Sequence, residues 1–236
     1  PLFDLSIAMV IATGDYVGDR RRVRRRILFI SYTADWTGPT HSLLLILRHV
    51  RKRFDVAVLL PGHGDFTRAL EEEGIPYFSL PRLNKWAIPA MIRLIRRERF
   101  DLVYGNNIGS SSQNGMIAAT LARVPFVCHV RDMGGRTWRK WGFLHFATAV
   151  IAVSEAAASA AGKYVRPGRL HMVYNWVELD RKDEAGSVEE TKGLNEASDL
   201  PGSTPLLLGI AHIRAGKGIT HAVEAMARVV QDVPQA

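Results

Sequence analysis

Two clusters of polar residues in one stretch of the chain have the types and spacing to do chemistry together. Asn106 and Asn107 form one, and His129, Arg131 and Asp132 the other. Between them the sequence reads as a strand (Leu102 to Tyr104), a polar loop opening at Asn106, a helix, and a second strand (Pro125 to Val130). Both clusters therefore follow parallel strands, on the rim where open α/β sheets bind ligands. His129 and Arg131 alternate with Val130, so they point to one face. A histidine there can move a proton or bond a sugar hydroxyl, and an arginine can hold a diphosphate bidentately. The structural alternative is a histidine satisfied at the sheet end and Arg131 paired with Asp132.

A second site of possible chemistry lies in HIRAGKG, residues 212–218. Lys217-Gly218 just before a helix suits a phosphate, because glycine admits the anion to the backbone, free N–H groups point at it and lysine adds charge. Plain capping is the simpler reading. Gly38 makes a weaker case of the same kind after the first strand, where a tight turn explains it equally well. Several chemistries lose support. The GxxxxGK[ST] spacing of an ATPase loop is missing, no GxGxxG follows Tyr32, and no HExxH, Ser-His-Asp order or paired-carboxylate spacing occurs. The single cysteine, Cys128, sits in an apolar strand, so neither a disulfide framework nor a cysteine metal site is expected and the compartment reads as reducing cytoplasm.

The elements that must position these residues alternate regularly. Ile27 to Tyr32 is a continuous apolar run, as for a central parallel strand covered on both faces. Leu43, Leu44, Ile46, Leu47 and Val50 recur with helical spacing, and Arg48, Arg51, Lys52 and Arg53 complement the dipole at that helix end. Val56 to Leu60 is a second strand, Asp65 caps a short helix stopped by Gly74, and Ile75 to Leu80 is a third strand. Ala87, Ala90, Met91, Leu94 and Ile95 form the buried stripe of the next helix. In the helix between the two polar clusters, Met116, Ile117, Thr120 and Leu121 mark the recurring face, with Ser110 or Ser111 as cap. Ala149 to Val153 and Leu170 to Tyr174 are further strands around a helix capped by Ser154. This alternation predicts an α/β fold with one Rossmann-like, doubly wound parallel sheet.

Other stretches leave alternatives open. GGRTWRKWGFLHF, residues 134–146, reads as an interfacial amphipathic helix, a cover over the site, or aromatics packed into the domain. Six arginines between Arg20 and Arg26 read as a solubilising flank or a contact for an anionic membrane or nucleic acid. Ile7 to Ala12 is too short an apolar run to cross a membrane. The net charge is +8, although residues 180–199 hold seven acids against three bases, so the rest of the chain is more positive still and attracts phosphates, nucleotides or anionic lipid. The expected divisions are a leader or basic flank at 1–26, the main domain at 27–176, a linker at 177–204 and the start of a second domain at 205–236. One strand and one helix cannot bury a core of their own, so the chain is expected to be a fragment.

Four pieces of sequence resemble the amino-terminal half of family 4 glycosyltransferases of the GT-B fold, followed by the first β-loop-α of the carboxyl-terminal half. They are WTGPTHSLLLILRHV, the DLVYGNN to HVRD unit, VIAVSEA with YNWVELD, and GIAHIRAGKGITHAVEAMARVV. The resemblance implies two Rossmann-like domains about a cleft, the first for the acceptor and the second for a UDP- or GDP-sugar, with retention at the anomeric carbon and without a required metal or cofactor. By position, Lys217 matches the lysine on the donor diphosphate, beside Gly218. The arginine expected five residues earlier falls on His212. Gly38 matches the second glycine of a loop whose first position is Thr37, which implies close approach of the donor diphosphate to that loop. The active-site histidine position falls on Arg131, with His129 two residues before it. Asn175 fits the asparagine of an NG-V-D signature in which Trp176 and Glu178 replace glycine and aspartate.

Asn106, Asn107 and Asp132 fall on the acceptor side of this arrangement. The carboxylates that hold the donor sugar would lie beyond Ala236, so this chain alone is expected to lack transferase activity. The expected setting is the cytoplasmic membrane face with a glycan or lipid-linked acceptor. A nucleotide-sugar epimerase of the same fold and a non-catalytic basic module are the rival readings. Against the latter, no stacking-aromatic RNA signature or helix-turn-helix accompanies the charge.

Overall fold

The run Ile27, Leu28, Phe29, Ile30 is wholly excluded from solvent although it alternates between two faces, because helices cover both sides of the strand it forms. The structure, a computed structural model, describes residues 24–132, 138–175, 209, 211 and 217–233. The chain divides into two units, Pro1–Glu178 and Leu179–Ala236.

In the first unit the elements run β1 (Arg26–Ile30), α1 (Gly38–Val50), β2 (Asp55–Pro61), α2 (Asp65–Glu72), β3 (Tyr77–Leu80), α3 (Ile88–Arg97), β4 (Leu102–Gly105), α4 (Ser110–Ala122), β5 (Phe126–Val130), α5 (Trp138–Trp141), β6 (Ala149–Ala152), α6 (Glu155–Gly162) and β7 (Leu170–Met172). The seven strands form one sheet in the order β3-β2-β1-β4-β5-β6-β7. Every pair is parallel, with Phe29 opposite Val58 on one side and Tyr104 on the other. The order reverses between β1 and β4, the switch point at which open α/β sheets bind ligands.

Each face of the sheet has its own core. Leu43, Leu44, Ile46, Leu47 and Val50 of α1 and Phe66 and Leu70 of α2 close over Ile27, Phe29, Val58 and Tyr104. Met91 and Ile95 of α3, Met116, Ala118 and Ala119 of α4, and Ala157, Ala160 and Ala161 of α6 close over Leu28, Ile30, Val103 and Cys128. Each large aliphatic side chain so buried contributes about 1.5–3 kcal/mol.

Helix α4 departs from the reading of its sequence. Thr120 and Leu121 of the expected stripe face solvent, and the buried face is Ser111, Ser112, Asn114, Gly115, Met116, Ala118 and Ala119. Small residues bring the helix close to the sheet: a Cβ at Gly115 would overlap the Ile30 Cδ1 methyl, and one at Gly105 would lie 2.6 Å from Ser112 Oγ. The cap also differs. Gly109, not Ser110 or Ser111, occupies the N-cap and supplies no side-chain bond, while Arg123 ends the helix with φ +62° just before Val124-Pro125. Likewise Gly64 precedes α2, with Thr67 Oγ1 accepting its N–H at 3.1 Å, and Asp65 is already helical. Ser154 does cap α6, its hydroxyl accepting from Ala157 N.

The aromatic stretch after β5 packs inward as far as it is described. Trp141, Phe143 and Leu144 are buried in the core beside α6, while Phe146 is exposed. Residues 133–137 lie outside the described residues, as do 176–208, which include the expected linker, and most of the expected strand Leu206 to Ala211. In the second unit α7 (Ile219–Asp232) follows Gly218 and carries Val223, Ala225, Met226, Val229 and Val230 as expected, with none of them buried.

Candidate functional site

Arg131 follows β5 directly, and its guanidinium gathers three segments at the carboxyl rim. Its Nε donates to Asn106 O and to Asn106 Oδ1, each at 3.1 Å, and its Nη1 donates to Ser42 Oγ at 2.9 Å and Asn175 Oδ1 at 3.1 Å. These partners belong to the loop after β4, the first turns of α1 and the segment after β7. Burial pulls the guanidinium pKa downward. Its Nη2 is buried without a hydrogen-bond partner. Asp132, the partner that the structural alternative gives Arg131, is not among these acceptors and stands exposed. Asn106 is fully buried, and its Nδ2 donates to Pro39 O at 3.0 Å, which fixes the start of α1 against the β4 loop.

Gly38, the first residue of α1, is exposed, and a Cβ there would meet nothing within 4 Å. Its backbone needs no glycine, so what distinguishes the position is open space before the amino end of a helix whose first turn holds no acid. Thr37 and Thr40 close the capping box there, with Thr37 N donating to Thr40 Oγ1 at 2.8 Å.

His129 lies one turn of the pleat below Arg131 on the same face, as the alternation predicts, but it is only 2% exposed. Tyr104 OH and His129 Nδ1 are 2.6 Å apart. Burial, with the Arg131 charge as a second cause, holds the imidazole pKa well below its ordinary value. Burial likewise raises the Tyr104 phenol and the Cys128 thiol, so all three groups are neutral at physiological pH. His129 thus supports the rim from beneath it. Tyr104 and Ser42 were not singled out from the sequence. The available signal was a hydroxyl interrupting an apolar strand in the first case and an apolar helix turn in the second.

Asn107, one residue after Asn106, turns to the opposite side of the sheet. Its Oδ1 accepts from Ser112 Oγ at 3.0 Å. With Tyr32, Pro61, Pro81, Arg82, Gly109 and Ser111 it lines a hollow of about 410 Å³ at the carboxyl ends of β1 to β4. The two asparagines therefore serve different places: Asn106 the Arg131 knot on the α1 side, Asn107 the hollow at the start of α4. A larger hollow of about 780 Å³ lies at the other end of the sheet, lined by Arg24, Arg26 and Arg51. Its cations are already engaged, since Arg24 pairs with Asp55, Arg26 with Glu98 and Arg51 with Glu73. Arg25 pairs with the buried Asp101 at 3.6 Å. Three of the six arginines in the basic run thus pair with carboxylates at the sheet's amino edge. Arg20, Arg21 and Arg22 lie outside the described residues.

Of the residues expected on the donor side, Gly38 belongs to the first unit and Lys217, Gly218 and His212 to the second. Lys217 is exposed, and Gly218 precedes α7 with φ +71°, a conformation that favours glycine. No side chain caps α7 and no acid occupies its first turn. His212 lies outside the described residues. Among the described residues no helix is long and apolar enough to cross a membrane.

A seven-stranded parallel Rossmann-like sheet with a polar rim at its switch point is the architecture of a GT-B glycosyltransferase domain. The chain belongs to Glycosyltransferase Family 4, whose sequence profile matches residues 36–181. Among solved structures it is similar to a glycosyltransferase from Rickettsia africae ESF-5, with TM-score 0.66, 17% identity and coverage of 88% of this chain and 58% of that one. It is also similar to Anabaena Alr3699/HepE in complex with UDP-glucose, with TM-score 0.58, 24% identity and coverage of 72% and 50%. A UDP-N-acetylglucosamine 2-epimerase described as putative, from Listeria monocytogenes, matches less well, with TM-score 0.50, 13% identity and coverage of 62% and 44%. The chain thus spans about half the length of these structures, and at such identities the likeness is one of fold. No curated protein matches it.

Proposed function

We propose that this chain serves a retaining glycosyltransferase that moves a sugar from a UDP- or GDP-sugar to a glycan or lipid-linked acceptor. The carboxyl rim of the first unit takes the acceptor, and Lys217 with the amino end of α7 takes the donor diphosphate. The observation that carries this reading is the Arg131 knot. A half-buried guanidinium ties the loop after β4, α1 and the segment after β7 together at the sheet's switch point. Such a group orients oxygen-rich ligands without having to be ordered first. Gly38 adds an open approach to the helix start in the same turn. The epimerase alternative shares the donor but needs no acceptor.

The test is calorimetric titration of the chain with UDP-glucose and with GDP-mannose. One of the two is expected to bind saturably, and Lys217→Ala to weaken it roughly tenfold or more, as for loss of one charge-assisted hydrogen bond. Absence of binding by both, or equal affinity in Lys217→Ala, would sink the donor assignment. In a reaction mixture containing donor, production of an epimerised sugar nucleotide without any acceptor would favour the alternative.

A further inference from the structure

The hollow beside Asn107 is lined by hydrogen-bond donors and one arginine, and by no acidic residue. Helix α4 is 13 residues long, its N-cap Gly109 offers no side-chain bond, and its first turn carries no acid. Its leading N–H groups therefore open toward the hollow with the positive end of the dipole. Ser111, at the second position of the helix, lines the same hollow, is 5% exposed, and holds its Oγ buried with no hydrogen-bond partner. A hydroxyl in that state costs stability unless something completes it. Across from it Arg82, exposed after β3, has no carboxylate partner among the described residues, and no acidic residue lines the space. The floor is fixed, since Asn114 Nδ2 donates to Leu83 O at 3.0 Å and Asn84 Oδ1 accepts from Trp86 N at 3.0 Å.

We propose that this hollow is a phosphoryl subsite, in which the amino end of α4, Ser111 Oγ and the Arg82 guanidinium hold a phosphate group carried by the acceptor. The inference rests on the reading of the first unit's rim as the acceptor side, and it narrows the acceptor to a phosphorylated one. Backbone N–H donors, one hydroxyl and a forked cation match a tetrahedral oxyanion. The volume of about 410 Å³ leaves room for a sugar-sized body beside the phosphate.

The test titrates the chain with inorganic phosphate and with glucose 6-phosphate while following the backbone amides of Ser110, Ser111 and Ser112 by NMR. Saturable shifts of these amides are expected with both ligands, and none with glucose. Arg82→Gln should weaken binding at least fivefold, and Ser111→Ala about threefold, while leaving Tm equal or higher because it deletes an unpartnered buried hydroxyl. That pairing of weaker binding with undiminished stability is not the signature of a merely structural serine. Shifts that follow phosphate addition equally in Arg82→Gln, or no shifts at these amides, would overturn the subsite. Arg82-dependent binding to phosphatidylglycerol vesicles without a response to glucose 6-phosphate would support the subsite and assign its phosphate to a lipid-linked acceptor. Loss of nucleotide-sugar binding with phosphate binding intact would defeat the transferase reading and leave the anion site standing, so the two failures are distinguishable.

Discussion

At the scale of single residues, His129 and Arg131 share one strand end in different settings, the first buried beneath the rim and the second hydrogen-bonded along it. Burial keeps His129 neutral, so the unfolded chain takes up a proton before the folded one does. The sign follows from the depressed folded pKa: the contribution of His129 is fully present above the ordinary histidine value near 6.5 and is lost as pH falls below it. Between pH 7 and 5 this single group should remove up to about 2 kcal/mol, at the limiting slope of about 1.36 kcal/mol per pH unit. Urea unfolding of the wild type and of His129→Gln across that range measures it. The variant should lose the corresponding part of the slope, and an unchanged slope would mean that His129 is not the proton-binding group. Arg131→Met tests the knot. It leaves buried Asn106 oxygens without their donor and should destabilise by about 2–4 kcal/mol, against about 0.5–1.5 kcal/mol for Asn175→Ala, which removes only one acceptor of the same guanidinium.

At the scale of elements, close approach sets the position of α4, and the sequence signal for it was weak. The sequence located all seven strands, most directly the central ones, where a parallel strand covered on both faces is an uninterrupted apolar run, as in Ile27 to Ile30. The same logic misplaced the buried face of α4, where Gly115, Ala118 and Ala119 bury the helix by their small size and Leu121 is left outside. Caps were equally hard to place, since at Gly109 and Gly64 backbone geometry fixes the helix start without a side-chain bond from the cap. The rim residues were legible as a group because strand ends can be counted. The separation of Asn106 from Asn107 onto two sides depends on which of them continues the pleat, and the loop settles that. The expected consequence of close approach is coupling between Gly115 and Ile30. Gly115→Ala should destabilise by roughly 1–3 kcal/mol through overlap with Ile30 Cδ1, despite the better helix propensity of alanine. Ile30→Val removes that methyl and alone should cost about 0.5–1.5 kcal/mol. The double variant should be more stable than the sum of the two losses predicts, and additive losses in denaturant titrations would show that α4 does not rest on this contact.

At the scale of the molecule, the first unit contains everything its sheet requires. Both cores are built from residues between Ile27 and Val173, and the amino edge is closed by Arg24, Arg25 and Arg26 against Asp55, Asp101 and Glu98. The last described link in sequence order is Asn175, whose Oδ1 accepts from Arg131. A chain ending at Glu178 keeps all of these interactions and is therefore expected to unfold in one cooperative transition, within about 2 °C of the sheet's transition in the full chain. It should also keep phosphate binding at Ser110 to Ser112 and lose the nucleotide-sugar affinity assigned to Lys217. A chain ending at Tyr174 lacks Asn175 and should melt lower by about 2–4 °C, the shift expected for roughly 1 kcal/mol in a domain of this size. Calorimetry of the two shortened chains beside the whole one reads both expectations. If the chain ending at Glu178 fails to fold, or melts far below the full chain, then Leu179 to Ala236 supplies stability to the sheet and the acceptor and donor pieces are not separable folding units. If it folds and still binds UDP-glucose as tightly as the full chain, the donor diphosphate belongs at the Arg131 rim and the placement of donor and acceptor must be exchanged.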